Sequence, residues 1–339
     1  MIKRIHWLLL LLSLLLLWSG CGQPRSWGDW DEITVFVDSL DRKLVEPQLR
    51  AVFEAHSISP QLEPWFRLNF VDSDQMNALT NRRLLLFIGS RIDAVGPVNS
   101  YVRSLFPVEV LERIRAGEPL LFAREHALAR PQQVVILPAV DPAGVKALLA
   151  ARDSSLVQLF LDFTRERVQE QLYDRFEQKE LADSLRNMLQ VNLRIPHDYQ
   201  VVNALPEQNL LRFRRYYPDR WIAVQVLPGL PQDMYDPTYL LDLRDSLGVH
   251  FHDKVYVERD PDFFRVTPVV LDGTPAVCLE GLWGTFELIG GGPYILFLVP
   301  DHTNNRTILL DGAVLAPGKD KNQFLHHLWS ILNTYKQEN

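Results

Sequence analysis

The sequence predicts an α+β protein of two lobes with mainly antiparallel sheets, joined by a long central helix and closed by a C-terminal amphipathic helix. Three observations carry this. Segments of strand composition follow one another in hairpin succession with helices clustered between and after them, whereas a parallel doubly wound sheet would place a helix after nearly every strand. Residues 145–195 contain neither glycine nor proline. Without its first 20 residues the chain keeps 319, more than one core usually supports. Hydrophobic residues at 47% are enough to fill two cores.

The elements follow in order. Ile33–Val37 reads as a first strand and Leu44–His56 as a helix with Leu44, Leu49, Val52 and Phe53 on one side. Trp65–Val71, Arg83–Ile88 and Gln132–Leu137 read as strands, and Val108–Arg115 as a short helix stopped by Gly117. Asp141-Pro142 supplies an N-cap and a first-turn proline for a helix through Ala151. Leu156, Phe160, Phe163, Val168, Leu172, Phe176, Leu181, Leu185 and Met188 keep helical spacing, as one long helix or two nearly continuous ones. The charges between them, Arg165, Glu166, Glu170, Arg175 and Glu177, read as a solvated face.

Pro196 ends that stretch. Tyr199–Val202, Leu210–Arg215 and Trp221–Val226 read as strands, and Asp236-Pro237 opens a helix through Leu247 with Gly248 at its end. Val255–Glu258, Phe264–Val270, Ala276–Gly281, Thr285–Ile289, Tyr294–Val299 and Thr307–Leu310 complete the strands, and Lys321–Lys336 is the closing helix. The boundaries are a leader at 1–20, a tether at 21–30, an N-terminal α+β lobe at 31–152, a helical connector at 153–195 and a C-terminal α+β lobe at 196–339. A faint echo between the PQLEPWFRL and PEQNLLRFRR regions suggests related lobes.

The leader is a secretory address. Lys3 and Arg4 precede an apolar run from Trp7 to Trp18, too short to span a hydrocarbon core of roughly 30 Å, and Ser19-Gly20 precede Cys21. Ser-Gly-Cys matches the end of a bacterial lipobox, although Trp18 stands where an aliphatic residue is usual. Acylation of Cys21, with palmitate among the chains, is therefore expected, and Gly22 rather than aspartate after it favours the outer membrane. Two or three acyl chains at about 0.8 kcal/mol per buried CH₂ anchor stably where one does not.

Without the leader the chain carries 33 basic and 42 acidic residues, a formal charge of −9, which argues against nucleic-acid binding. Cys21 and Cys278 are the only cysteines, so an acylated Cys21 leaves no internal disulfide, and Cys278 within PAVCLEG reads as a buried small hydrophobe.

The glycine run at 290–292 is followed by Pro293 and a strand composition, not by the helix whose N-terminus a phosphate cradle needs, so it reads as a turn. His250 and His252 share one side of a strand but lack a third metal ligand at convincing spacing, and His326-His327 reads as lying on the polar side of the last helix. No G-x-S-x-G, H-E-x-x-H or C-x-x-C pattern occurs, so no catalytic residue, metal or cofactor is assigned. Glu63, Trp65, Glu280, Trp283, Gly291 and Gly292 are the candidate lining of a ligand groove, since carboxylates beside aromatics suit glycan binding or hydrolysis.

Pro60-Gln61-Leu62-Glu63-Pro64-x-Phe66, Asn81-Arg82-Arg83, Ile195-Pro196-x-x-Tyr199, Gly281-Leu282-Trp283, Gly291-Gly292-Pro293-Tyr294 and Ala316-Pro317-Gly318-Lys319 together resemble an uncharacterised family of Gram-negative envelope lipoproteins, a domain of unknown function. The resemblance runs over nearly all the mature chain. It implies lipid anchoring at the envelope and brings no catalytic residue or ligand with it. The expected function is that of a lipid-anchored, non-enzymatic binding or envelope-assembly protein with an envelope protein or glycan as partner. The alternative is an envelope hydrolase of glycan or peptidoglycan.

Overall fold

The computed structural model of the protein describes residues 22–337 apart from 56, 62, 175, 249–254 and 287–289. Cys21, His250 and His252 lie outside the described residues. The chain divides into two compact units, one of residues up to Val52 with Leu68–Leu156, the other of Phe53–Arg67 with Val157–Asn339. Both units mix helices with sheet, and most strand pairs are antiparallel, as the sequence predicts.

In the first unit the described strands β1 (Glu32–Val37), β2 (Arg67–Val71), β3 (Leu84–Gly89), β4 (Phe122–Glu125) and β5 (Gln133–Pro138) form a sheet in the order β2-β1-β3-β5-β4. Its centre is parallel: β1 pairs with β3 and β3 with β5 in the same direction, while β4 runs against β5. Parallel strands need crossovers, and α1 (Ser39–Phe53), the single turn α2 (Met76–Leu79), α3 (Pro97–Ser104) and α4 (Val108–Arg115) lie between them. β3, LLLFIG, is buried at every position, as is usual for a central parallel strand, and its Leu85 and Phe87 pack with Val98 and Val102 of α3 and Leu111 and Ile114 of α4. Hairpin succession, as read from the sequence, therefore fails here: α3 is only eight residues long, and its first-turn Pro97 and the buried pair Val98 and Val102 are a helix signal too short to stand out along the chain. With a parallel centre here and an antiparallel sheet in the second unit, the sheets are not related copies.

Asp38 follows β1, Ser90 and Arg91 follow β3, and Asp41 lies in the first turn of α1. Asp38 accepts from the N–H groups of Val98 (3.1 Å) and Asn99 (3.0 Å) and so caps α3. Asp41 accepts from Ser90 Oγ at 2.7 Å and Arg91 Nε at 2.8 Å. Strand ends of this kind often bind ligands, but here the carboxylates are already engaged.

The N-terminal segment does not hang free. Arg25 bridges to Arg130 and Trp27 to Arg82 as short parallel pairings, and Gln23 Nε2 donates to the carbonyl of His126 at 2.9 Å. The stretch expected as a tether is thus joined to the first unit from Gln23 onward.

The second unit holds an eight-stranded sheet among the described residues: β6 (Gln200–Leu205), β7 (Leu210–Arg215), β8 (Asp219–Pro228), β9 (Val255–Val257), β10 (Phe264–Leu271), β11 (Thr274–Thr285), β12 (Gly291–Asp301) and β13 (Arg306–Leu315). The order is β10-β11-β12-β13-β8-β7-β6, with β9 also paired to β11, and all these pairs are antiparallel. Because side chains alternate between faces, the register sorts them. Val277, Leu279, Leu296, Leu298 and Leu309 join Leu240, Leu241 and Leu247 of α7 (Pro237–Gly248) in one core. Cys278, Glu280, Phe297 and Leu310 alternate with these, so they belong to the other face.

α5 (Pro142–Tyr173) is a single helix of 32 residues, and α6 (Lys179–Leu189) follows after a short break. Gln190 ends α6 in the left-handed conformation, φ 53°, before Ile195 is reached. From Val157 onward this segment belongs to the second unit and is not a separate connector. Gln169 Nε2 donates to the carbonyl of Ser330 at 3.0 Å, and Ser330 Oγ to that of Arg165 at 2.9 Å, which fastens α5 to α8 (Asn322–Leu332). α8 is the closing helix expected, shorter than Lys321–Lys336 and more fully covered than its spacing suggests: Phe324, Leu325, His326, Leu328, Ser330, Ile331 and Leu332 are all buried. His326 is 2% exposed, which corrects its reading as a surface histidine.

Candidate functional site

Neither of two hollows formed by the described residues holds all the candidate groove residues. Trp65 and Glu280 line one hollow of about 360 Å³ in the second unit. Trp283, Gly291 and Gly292 border another, of about 490 Å³, with Gln61 and Lys321. Glu63 lines neither.

Glu63 has a structural task. Its Oε2 accepts from the N–H of Lys321 at 2.7 Å and its Oε1 lies 3.2 Å from Lys321 Nζ, with the Glu63 side chain only 8% exposed. Lys321 is the N-cap of α8, so the carboxylate sits where a helix dipole favours negative charge. A carboxylate held in this way is poorly placed to act as a general acid.

The glycine run is used differently from the turn expected. Gly291 and Gly292 lie inside β12, opposite Gly284 and Trp283, and neither is among the glycines with positive φ. What they provide is space: a Cβ on Gly292 would meet the carbonyl oxygen of Val314 at 2.0 Å, and one on Gly291 that of Trp283 at 2.5 Å. Both neighbours are backbone and cannot turn aside. Gly292→Ala is therefore expected to cost about 1–3 kcal/mol, the range for overpacking, measured as a shift of the urea unfolding midpoint. A change within about 0.5 kcal/mol, the size usual for surface sites, would show that the strands separate freely.

The hollow at Glu280 is built by strand register. On β10 and β11 Arg265 faces Glu280 and Thr267 faces Cys278, so the four side chains form two adjacent rows on one sheet face. Arg265 and Glu280 approach to 3.6 Å. Over this face lie Gln158, Leu161 and Arg165 from α5, Trp329 from α8, and Trp65. Arg165 is 8% exposed, and its guanidinium carbon stands 4.0 Å from the Trp329 ring centroid and 5.9 Å from that of Trp65. Its Nε has no hydrogen-bond partner and its guanidinium no carboxylate within ion-pair distance among the described residues. Burial lowers its pKa, and Glu280 leads the influences opposing that shift.

Cys278 is buried, and burial raises its thiol pKa well above the ordinary value, so it is no thiolate nucleophile. The His326 ring lies tilted at 52° against Trp65 with centroids 5.5 Å apart, and burial, with Arg165 second, pushes its pKa down to about 3. It is neutral at physiological pH. No group of three or more His, Cys, Asp and Glu among the described residues is arranged to hold a metal.

Sequence reasoning found Trp65 and Glu280 and missed Arg165 and Trp329. One signal for Arg165 was present. It lies four residues after Leu161 and three before Val168, both buried, and so continues a buried stripe, whereas Glu166 and Glu170 are exposed or half-exposed.

Residues 26–173 match a family described as a domain of unknown function (DUF8532), and residues 178–334 match a second, also a domain of unknown function (DUF4837). Between them they cover nearly all the described chain. No curated protein matches it. Among solved structures, the Ran-binding protein Mog1p of Saccharomyces cerevisiae is similar at 9% identity over 43% of this chain and 89% of its own, with a TM-score of 0.30. LpqN of Mycobacterium tuberculosis, described as involved in cell envelope biogenesis, is similar at 14% identity over 42% of this chain and 79% of its own, with a TM-score of 0.28. Likeness at that level says nothing of function. No helix among the described residues is long and apolar enough to cross a membrane.

Proposed function

We propose that this chain is a lipid-anchored protein of the bacterial cell envelope, held at the outer membrane through acylated Cys21, that binds a ligand or assembly partner and performs no chemistry on it. The leader, Lys3-Arg4, the apolar run and Ser-Gly-Cys21, supports the anchor. The docking of Gln23 to His126 leaves Gly22 alone between Cys21 and the folded body. Two peptide units reach at most about 8 Å, so the first unit would lie directly on the bilayer.

The observation that carries the binding reading is Arg165, a buried charge at the wall of a hollow with no carboxylate of its own among the described residues. An uncompensated buried guanidinium is costly to a fold, and a ligand that neutralises it supplies a reason for keeping it. The hydrolase alternative needs Glu63 and Glu280 in one cleft, and Glu63 is instead occupied with Lys321.

The anchor is tested with a labelled fatty acid. Cys21→Ser is expected to take up no label and to leave the membrane fraction, and a variant that still does either would refute the anchor. Binding is tested by crosslinking in intact cells followed by co-purification. A partner enriched over an unrelated lipoprotein is expected, and none would argue against an assembly role.

A further inference from the structure

We infer that the hollow between α5, α8 and the β10–β11 face is a binding site for a small monocarboxylate with a compact apolar or ring-shaped body, the carboxylate resting on Arg165. This deepens the binding reading above and rests on it. The class follows from the walls. Arg165, Arg265 and Glu280 leave one positive charge in excess, matching a monoanion better than a phosphate dianion, which would also meet Glu280. Asp162 is exposed and accepts from Gln158 Nε2 at 2.5 Å, so it faces this region from the solvent side.

A guanidinium is planar and donates in a fixed fork that a carboxylate matches with two parallel hydrogen bonds. The Arg165 guanidinium already rests over the Trp329 ring, 4.0 Å from its centroid, before anything binds, so less freedom is lost on pairing. Beside it Trp65, Leu161, Pro268 and Val269 offer apolar surface to the body of the ligand, and Gln158 and Thr267 bring polar side chains. A volume of about 360 Å³ is in the range of small-molecule sites. Cys278, its thiol pKa raised by burial, contributes no competing negative charge.

The test uses the full mature lipoprotein in detergent, with benzoate, phenylacetate and glucuronate as carboxylate probes, benzamide as the neutral match to benzoate, and inorganic phosphate. Binding is read by ligand-observed NMR. Benzoate or phenylacetate is expected to bind, with benzamide and phosphate at least about tenfold weaker, as for loss of a charge-assisted hydrogen bond. Arg165→Met is expected to weaken the carboxylate at least about thirtyfold, the lower end for truncating a buried charge partner, while its melting temperature holds or rises. Arg165→Lys, which keeps the charge and loses the fork, is expected to rescue binding only in part.

Glucuronate binding as well as benzoate would overturn the apolar-body assignment. Phosphate binding as well as benzoate would overturn the carboxylate assignment. Failure of all three carboxylates on folded protein, or undiminished binding by Arg165→Met, would overturn the site itself. A partner found by crosslinking would stand in each case, so failure here and failure of the broader reading are distinguishable.

Discussion

Lowering the pH from 7 to 4 is expected to unfold the second unit, with the loss of stability beginning near pH 6.5 and not at the lower pH typical of carboxylates. The cause is the pair His326-His327, whose folded pKa values are both pushed down to about 3, by burial first in each case. Arg165 and His327 add to the shift at His326, and Arg220 and Arg215 add to that at His327. Arg220 Nη1 can only donate, so at 2.8 Å the Nδ1 of His327 accepts and the ring is neutral. An unfolded imidazole takes up its proton near pH 6.5, so between there and about pH 3 the unfolded chain binds protons that the folded chain refuses. Stability is therefore complete above pH 6.5 and falls with pH by about 1.4 kcal/mol per unit for each histidine. Against a total of roughly 5–15 kcal/mol for a typical domain, two such residues are enough. His326→Phe with His327→Gln keeps a ring on Trp65 and an acceptor for Arg220, and should flatten the profile above pH 5. Urea unfolding followed by circular dichroism at a series of pH values measures it. A wild-type protein whose stability is level from pH 7 to 4.5 would mean that water reaches both rings.

Those histidines also show where local sequence stops being informative. The helix Val108–Arg115 and the strand Leu210–Arg215 were legible to the residue, since each has a clear pattern and a stop that local chemistry supplies. The sequence predicts a strand ending at Gly281 and a further one at Thr285–Ile289, which lies largely outside the described residues, yet β11 runs unbroken from Thr274 to Thr285. Its glycines interrupt composition without interrupting pairing, because the space they leave is filled by Tyr294 and Tyr256 from neighbouring strands. α8 carries the spacing of an amphipathic helix, but periodicity cannot say whether its other side is covered as well. Lys321 at its start is held by Glu63, 258 residues away in sequence, and no window along the chain contains both. The same holds for the candidate site. An aromatic beside a carboxylate could be noticed at Trp65 and Glu280, but Arg165 among Glu166 and Glu170 had the composition of a solvated face until Trp329 was folded over it.

Asp311→Leu is expected to be the most damaging single substitution in the second unit, and more damaging than Arg244→Leu, although the two residues are partners. Arg244 Nε lies 2.6 Å from Asp311 Oδ1 with side chains 1% and 0% exposed. If this were an isolated pair, removing either member would leave one buried charge, at a cost of about 3–5 kcal/mol. A third charge breaks the symmetry. On the sheet Asp311 faces Ala223, which faces Arg212, so Arg212 stands two strands away on the same face. Burial pushes the Asp311 carboxyl up, and Arg244 and then Arg212 counter it. Arg212 itself is lowered by burial to about 10 and stays charged at neutral pH. One anion thus serves two buried cations. Loss of Asp311 removes the carboxylate that opposes the effect of burial on Arg212 and that faces Arg244, whose guanidinium lies over the Tyr294 ring at 4.8 Å, and a cost near the top of the range of about 3–5 kcal/mol follows. Loss of Arg244 leaves Asp311 facing Arg212, and about 1.5–2.5 kcal/mol follows if half the compensation survives. Asp311→Asn should fall between, since it keeps an acceptor and loses the charge. Combining Asp311→Leu with Arg244→Met and Arg212→Leu should recover most of the loss, because buried ionic groups replaced by apolar ones of similar volume are often neutral or stabilising. Urea midpoints for the three single variants and the triple decide it. Equal losses for Asp311→Leu and Arg244→Leu would mean that Arg212 contributes nothing and the charges act as a simple pair.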